Sequence, residues 1–156
     1  MNEEGKKNEN IAEFKIKKDD DNISEFRVKS DSGDVIVNIE KFIKFASIQK
    51  EIKIGKDFTI TMKTLTNKER NKATSSVKFD PSISMTEYIE AIKIPILSAS
   101  IVKINDVVFN SDEDKKRLAE YLDKAQETIV DRLWLEYNKL ISEQYELLEN
   151  EELKKK

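Results

Sequence analysis

Alternation at a period of two fills the first part of the chain. Ala12, Phe14 and Ile16 alternate with Glu13, Lys15 and Lys17, Phe26 and Val28 alternate with Arg27 and Lys29, and Val35, Val37 and Ile39 follow. That spacing places apolar side chains on one face of a strand and polar ones on the other. A four-residue loop at Asp31-Ser32-Gly33-Asp34 sets Ser30 opposite Val35, Val28 opposite Val37 and Phe26 opposite Ile39, with every apolar residue on one face. A short helical connection is expected at Lys41 to Ala46. Ile52 and Ile54, then Phe58, Ile60 and Met62, supply the next two strands. A two-residue turn between them would pair Ile54 with Asp57 and turn one set of side chains outward. A three-residue loop, Gly55-Lys56-Asp57, instead pairs Ile54 with Phe58 and Ile52 with Ile60, and is the expected one.

Beyond the strands the period lengthens. Thr66-Asn67-Lys68-Glu69 has the S/T-x-x-E form in which hydroxyl and carboxylate satisfy each other's end of a first helical turn, so a short polar helix begins there. The stretch from Ser75 to Ser84 contains Asp80-Pro81 and reads as the main internal linker, because proline removes a donor and keeps the preceding residue out of the helical region. Tyr88, Ile89, Ala91, Ile92, Ile96, Leu97 and Ala99 then follow a helical spacing over Met85 to Ser100, where Pro95 should kink or split the helix. Val102 and Ile104 face Phe109 and Val107 across Asn105-Asp106, two residues that tolerate positive φ, which predicts a tight hairpin over 101–109. Ser111 caps a helix whose first turn, Asp112-Glu113-Asp114, sets negative charge at the positive end of the helix dipole.

The last helix, about Gln126 to Leu153, carries the clearest pattern. Val130, Leu133, Tyr137, Leu140, Gln144 and Leu147 form a coiled-coil-like stripe of alternating three- and four-residue steps, widened by Trp134, Ile141, Tyr145 and Leu148. Such a stripe ordinarily packs against the chain's own helices. Here it outruns the small core expected for the chain, so its later turns would present an apolar ridge, rimmed by Glu143, Glu146, Glu149, Glu151 and Glu152, to a partner. Trp134, Tyr137, Leu140, Ile141, Tyr145 and Leu148 are the expected protein-interface residues, tyrosine and tryptophan being the types that dominate binding hot spots.

Composition narrows the chemistry. The 156 residues include no Cys and no His, which removes Cys/His zinc sites, His-ligated haem, Cys-His and Ser-His-Asp nucleophiles and disulfides from the inventory. The three glycines, Gly5, Gly33 and Gly55, are too scattered to cradle a phosphate. Asp19-Asp20-Asp21 lacks the loop glycine and distal acid of a calcium loop, and Asp112-Glu113-Asp114 is explained by capping. An enzyme would need paired carboxylates or a lysine, and acids are too frequent here to be diagnostic. No catalytic, cofactor-binding or metal-ligating residue is therefore expected, and no cofactor.

Charge points the same way. Lys+Arg 28 against Asp+Glu 31 leaves −3, which gives no field to hold nucleic acid. Local lysines exist at Lys15, Lys17 and Lys18 and at Lys154-Lys155-Lys156, each bordered by acids, so a small nucleic-acid-binding adaptor is a disfavoured alternative. MNEEGKKNEN has no apolar signal core, and no run approaches the 18 or so apolar residues that span a bilayer, so a soluble protein without membrane partners is expected.

The order of features resembles a known family. Ile54-Gly55-Lys56-Asp57-Phe58-Thr59-Ile60 leads into Leu65-Thr66-Asn67-Lys68-Glu69-Arg70; Tyr88-Ile89-Glu90-Ala91, Ser98 to Asp106 with Val107-Val108-Phe109, Leu118-Ala119-Glu120-Tyr121-Leu122 and Leu133 to Leu140 follow. This succession, over about Lys50 to Glu149, resembles the small tail-assembly chaperone and baseplate-hub-assembly proteins of tailed bacteriophages. The resemblance implies a non-enzymatic helper in the host cytoplasm that holds tail-tube, tape-measure or hub subunits before assembly, or alternatively a minor structural component of the tail or baseplate retained in the virion. Its partners would be phage tail or baseplate proteins, with a homo-oligomer a further option.

The expected fold is α+β. A flexible N-terminus (1–10) precedes an antiparallel β portion with short helices (11–74), followed by a mainly helical portion (85–153) with the hairpin 101–109 and a long terminal helix.

Overall fold

The computed structural model describes residues 11–16, 23–30, 33–78 and 80–154, with side chains described at 38, 41–78 and 80–150. The expected flexible N-terminus and Asp19-Asp20-Asp21 lie outside the described residues. The architecture is α+β: antiparallel strands dominate the first part, and helices ending in a long terminal one dominate the rest. The chain divides into two compact units, Met1–Phe45 and Ala46–Lys156.

In the first unit β1 (Ile11–Ile16), β2 (Ile23–Ser30) and β3 (Gly33–Asn38) form an antiparallel meander in the order β1-β2-β3, followed by the short helix α1 (Ile39–Lys44). The β2–β3 ladder closes on Ser30 opposite Gly33, so Val28 pairs with Val35 and Phe26 with Val37. The register is thus two residues tighter than the four-residue loop predicts. An even shift preserves parity, which is why the apolar positions still share one face; Phe14 opposite Phe26 and Ala12 opposite Val28 extend it. Ile39 has no place in the ladder, because Asn38 ends the strand and caps α1, its side chain accepting the Lys41 N–H at 2.8 Å.

In the second unit β4 (Gln49–Ile54) and β5 (Phe58–Lys63) pair through the three-residue connection, Ile54 opposite Phe58 and Ile52 opposite Ile60, with Gly55 at φ +63°. β6 (Ile101–Ile104) and β7 (Val107–Val108) form the tight hairpin, with Ile104 opposite Val107 and Asn105 at φ 51°. β5 and β6 pair antiparallel, giving one four-stranded sheet in the order β4-β5-β6-β7. That pairing joins what the sequence separates. The 75–84 segment links α2 (Asn67–Thr74) to α3 (Met85–Ser100) inside the second unit, and the division between units falls at Phe45/Ala46 instead.

Three helix starts are fixed by reciprocal capping boxes. Thr66 with Glu69 opens α2, Ser84 with Glu87 opens α3, and Ser111 with Asp114 opens α4 (Asp112–Lys124). Pro95 does not split α3, which runs unbroken to Ser100. Its missing N–H releases the carbonyl of Ala91, an exposed residue whose oxygen water can satisfy, while Ile92, Ile96 and Leu97 anchor the helix in the core. The terminal helix α5 (Glu127–Lys154) completes the unit. A single core unites these elements: Ile52, Ile60 and Met62 of the sheet, Ile96 and Leu97 of α3, Leu118 of α4, and Leu133 and Leu140 of α5.

Candidate protein-binding surface

The six expected interface residues of α5 divide by position along the helix. Tyr137 and Leu140 are 7% and 1% exposed and belong to the chain's own core. Trp134 and Ile141 are half-buried against it, and the Trp134 ring stacks on that of Tyr137 with centroids 5.7 Å apart. Tyr145 is 65% exposed, Leu148 is half-buried and Leu147 is also exposed. The physical cause is length. At about 1.5 Å per residue α5 runs about 20 Å past Leu140, the last fully buried residue among the described side chains.

Polar contacts accompany α5 as far as Gln144. Glu136, nearly buried, accepts from Arg132 at 3.1 Å and from Lys139 at 3.3 Å on its own helix. Lys93 of α3 bridges Glu90 and Asp131, at 2.6 and 3.3 Å, and so ties α3 to α5; the hydrogen bond to Glu90 is the main reason its pKa is raised. Gln144 donates to the carbonyl of Ala46 at 2.9 Å, and Lys50 of β4 pairs with Glu143 at 2.7 Å. Beyond these tethers Tyr145 is flanked by exposed Glu146 and Glu149; the side chains of Glu151 and Glu152 lie outside the described ones.

Other apolar side chains also reach solvent. Phe42, Ile43 and Phe45 at the end of the first unit are all more than half exposed, as are Phe58 and Val107 at the sheet's hairpin ends.

A cavity of about 440 Å³ lies among α2, α3, α4 and the end of β5, on different elements from the exposed turns of α5. Pro95, Ala99 and Ala119 give it apolar walls, and Lys63, Lys72, Lys115 and Lys116 line it with charge. Lys115 is half-buried, its ammonium donating to the carbonyls of Ala99 and Ile101 at the C-terminal end of α3. Burial, followed by the charge of Lys63, lowers its pKa to about 8. Burial raises the pKa of Glu69, but the hydrogen bond and charge of Lys63, 2.6 Å away, together with bonds from Thr66, outweigh it and the net shift is downward. Lys72 pairs with Asp112 at 2.7 Å.

The acidic run 112–114 is used locally: Asp112 pairs with Lys72, Glu113 with Arg117, and Asp114 completes the Ser111 box, whose hydroxyl and backbone N–H lower its pKa. Among the described residues no group of three or more potential ligand side chains is placed to hold a metal ion. No helix among them is long and apolar enough to cross a membrane. Comparison with protein-family models, curated proteins and solved structures finds no match.

Proposed function

We propose that the chain acts by protein–protein contact, without catalysis, as an assembly helper for a bacteriophage tail or baseplate. It would hold tail-tube, tape-measure or hub subunits before they assemble, covering an apolar surface or sheet edge that would otherwise polymerise early. One observation supports the contact mode above all: α5 carries Tyr145, 65% exposed, and Leu147 and Leu148 past the end of the core that covers Tyr137 and Leu140. A tyrosine on a helical ridge rimmed by acids suits a helix-in-groove or ridge contact. The tail and baseplate context rests on the order of sequence features over Lys50 to Glu149.

The test is capture by the tagged full chain from cells making the complete set of tail and baseplate proteins, with captured proteins identified by mass spectrometry and compared with purified particles. Capture of a tail-tube, tape-measure or hub subunit, with this chain absent from finished particles, supports a helper that leaves. Its presence in particles at fixed stoichiometry makes it a structural component, and capture of none of these subunits removes the proposal.

A further inference from the structure

We propose that the cavity among α2, α3 and α4 is a binding site for a monoanionic carboxylate carried on a compact apolar group. At about 440 Å³ it has the size of a small-ligand site. An ammonium has three N–H donors, and Lys115 gives two of its own to the Ala99 and Ile101 carbonyls, leaving the third for a ligand. Among the described residues no carboxylate forms an ion pair with Lys115 or Lys116; Glu69 and Asp114 act on Lys115 only from beyond that distance, so the half-buried ammonium keeps an N–H free for a ligand in the cavity. Its two carbonyl contacts hold Lys115 as a proton donor, which suits anion binding rather than nucleophilic attack.

The remaining wall chemistry sets the ligand's charge. Lys63 and Lys72 are already matched by Glu69 and Asp112, and these two carboxylates line the same cavity. Of the two lysines left, Lys116 is exposed and its charge is screened by solvent, so one half-buried ammonium with one free N–H matches a single carboxylate better than a phosphate dianion. Pro95, Ala99 and Ala119 offer small apolar surface and no large side chain, which leaves room for a short aliphatic group. A free short-chain acid and the C-terminus of a peptide ending in an aliphatic residue share this chemistry.

The experiment titrates hexanoate into the isotope-labelled full chain at about pH 7 and follows the amide resonances of Ser98, Ala99 and Ala119. Saturable shifts are expected, absent with hexanamide, and lost in Lys115→Met and in Ala119→Phe, which fills the cavity without touching the charge. Affinity should fall by about thirtyfold between about pH 7 and about pH 9.5, where Lys115 has lost its proton. A peptide ending in Leu with a free carboxylate, compared with its amidated form, separates the sources: tighter binding than hexanoate identifies a chain terminus, and weaker binding a small acid. Equal binding of hexanamide, stronger binding of inorganic phosphate, unaltered binding by the folded variants, or no saturable shift would each overturn the assignment. Should Lys115→Met fail to fold, Ala119→Phe still decides.

Discussion

Tyr137 and Tyr145 stand eight residues apart on α5, yet the first is 7% exposed and the second 65%. The core ends between them, and their substitutions should part accordingly. Tyr137→Ala empties a buried aromatic site and should lower unfolding stability by about 3 kcal/mol. Tyr145→Ser removes little buried surface and should stay within about 0.5 kcal/mol. Urea midpoints with unchanged slopes measure both, and a large loss for Tyr145→Ser would mean that its helical turn is covered after all.

Asn105 fastens the β6–β7 hairpin to β5. Its backbone N–H donates to the Thr59 carbonyl at 2.7 Å, its side-chain oxygen accepts from the Thr59 N–H at 2.8 Å and its amide donates to the Asp57 carbonyl at 3.1 Å, all at a left-handed φ. Asn105→Ala loses the side-chain bonds and meets backbone strain, so a cost of about 2 kcal/mol is expected. Asn105→Gly keeps the backbone conformation and should cost about 1 kcal/mol. Denaturant unfolding of the two variants gives the order.

Lys115 should leave a signature in the pH dependence of stability. Its folded pKa, about 8, lies below its unfolded value of 10.5, mainly through burial. Between those values the unfolded chain holds a proton that the folded chain has released, so raising the pH favours folding. The stability of the wild type relative to Lys115→Met should therefore be flat below about pH 8, climb towards about pH 10.5 and level off above it. Parallel pH–stability curves for the two proteins would show that Lys115 titrates normally.

Ser84 and Glu87 form the same reciprocal cap as Thr66 and Glu69, the Glu87 N–H donating to the Ser84 hydroxyl at 3.2 Å and the Ser84 N–H to Glu87 at 3.0 Å. Ser84→Ala should cost about 1 kcal/mol. Because α3 contributes Ile92, Ile96 and Leu97 to the core, the loss should appear in global unfolding rather than as local fraying. Hydrogen exchange that speeds only in the first turn of α3 would contradict this.

How legible these features were depends on how local their causes are. The β4–β5 and β6–β7 registers were readable because a one-residue slip would invert every side chain; the two-residue tightening at Ser30 and Gly33 was not, because an even slip leaves parity unchanged. The Thr66 and Ser111 caps were read from spacing, and Ser84 with Glu87 carries the same S-x-x-E signal. The division at Phe45 and the pairing of β5 with β6 are long-range facts that no periodicity encodes. On α5 the stripe itself was plain, but where burial stops depends on the length of the elements beside it, so Tyr137 and Tyr145 look alike in sequence. The cavity around Lys115 has no signature in local pattern because its lysines come from three separate elements.

The most direct measurement compares capture by the tagged wild-type chain and by a Tyr145→Ser, Leu148→Ser double variant from cells making the full set of tail and baseplate proteins. The variant must first be shown folded by its unfolding midpoint. The account predicts that the wild type retains a tail-tube, tape-measure or hub subunit and that the folded variant retains at most about a tenth as much. Equal retention by both would contradict α5 as the contact surface, and failure of the wild type to retain any such subunit would contradict the assembly role itself.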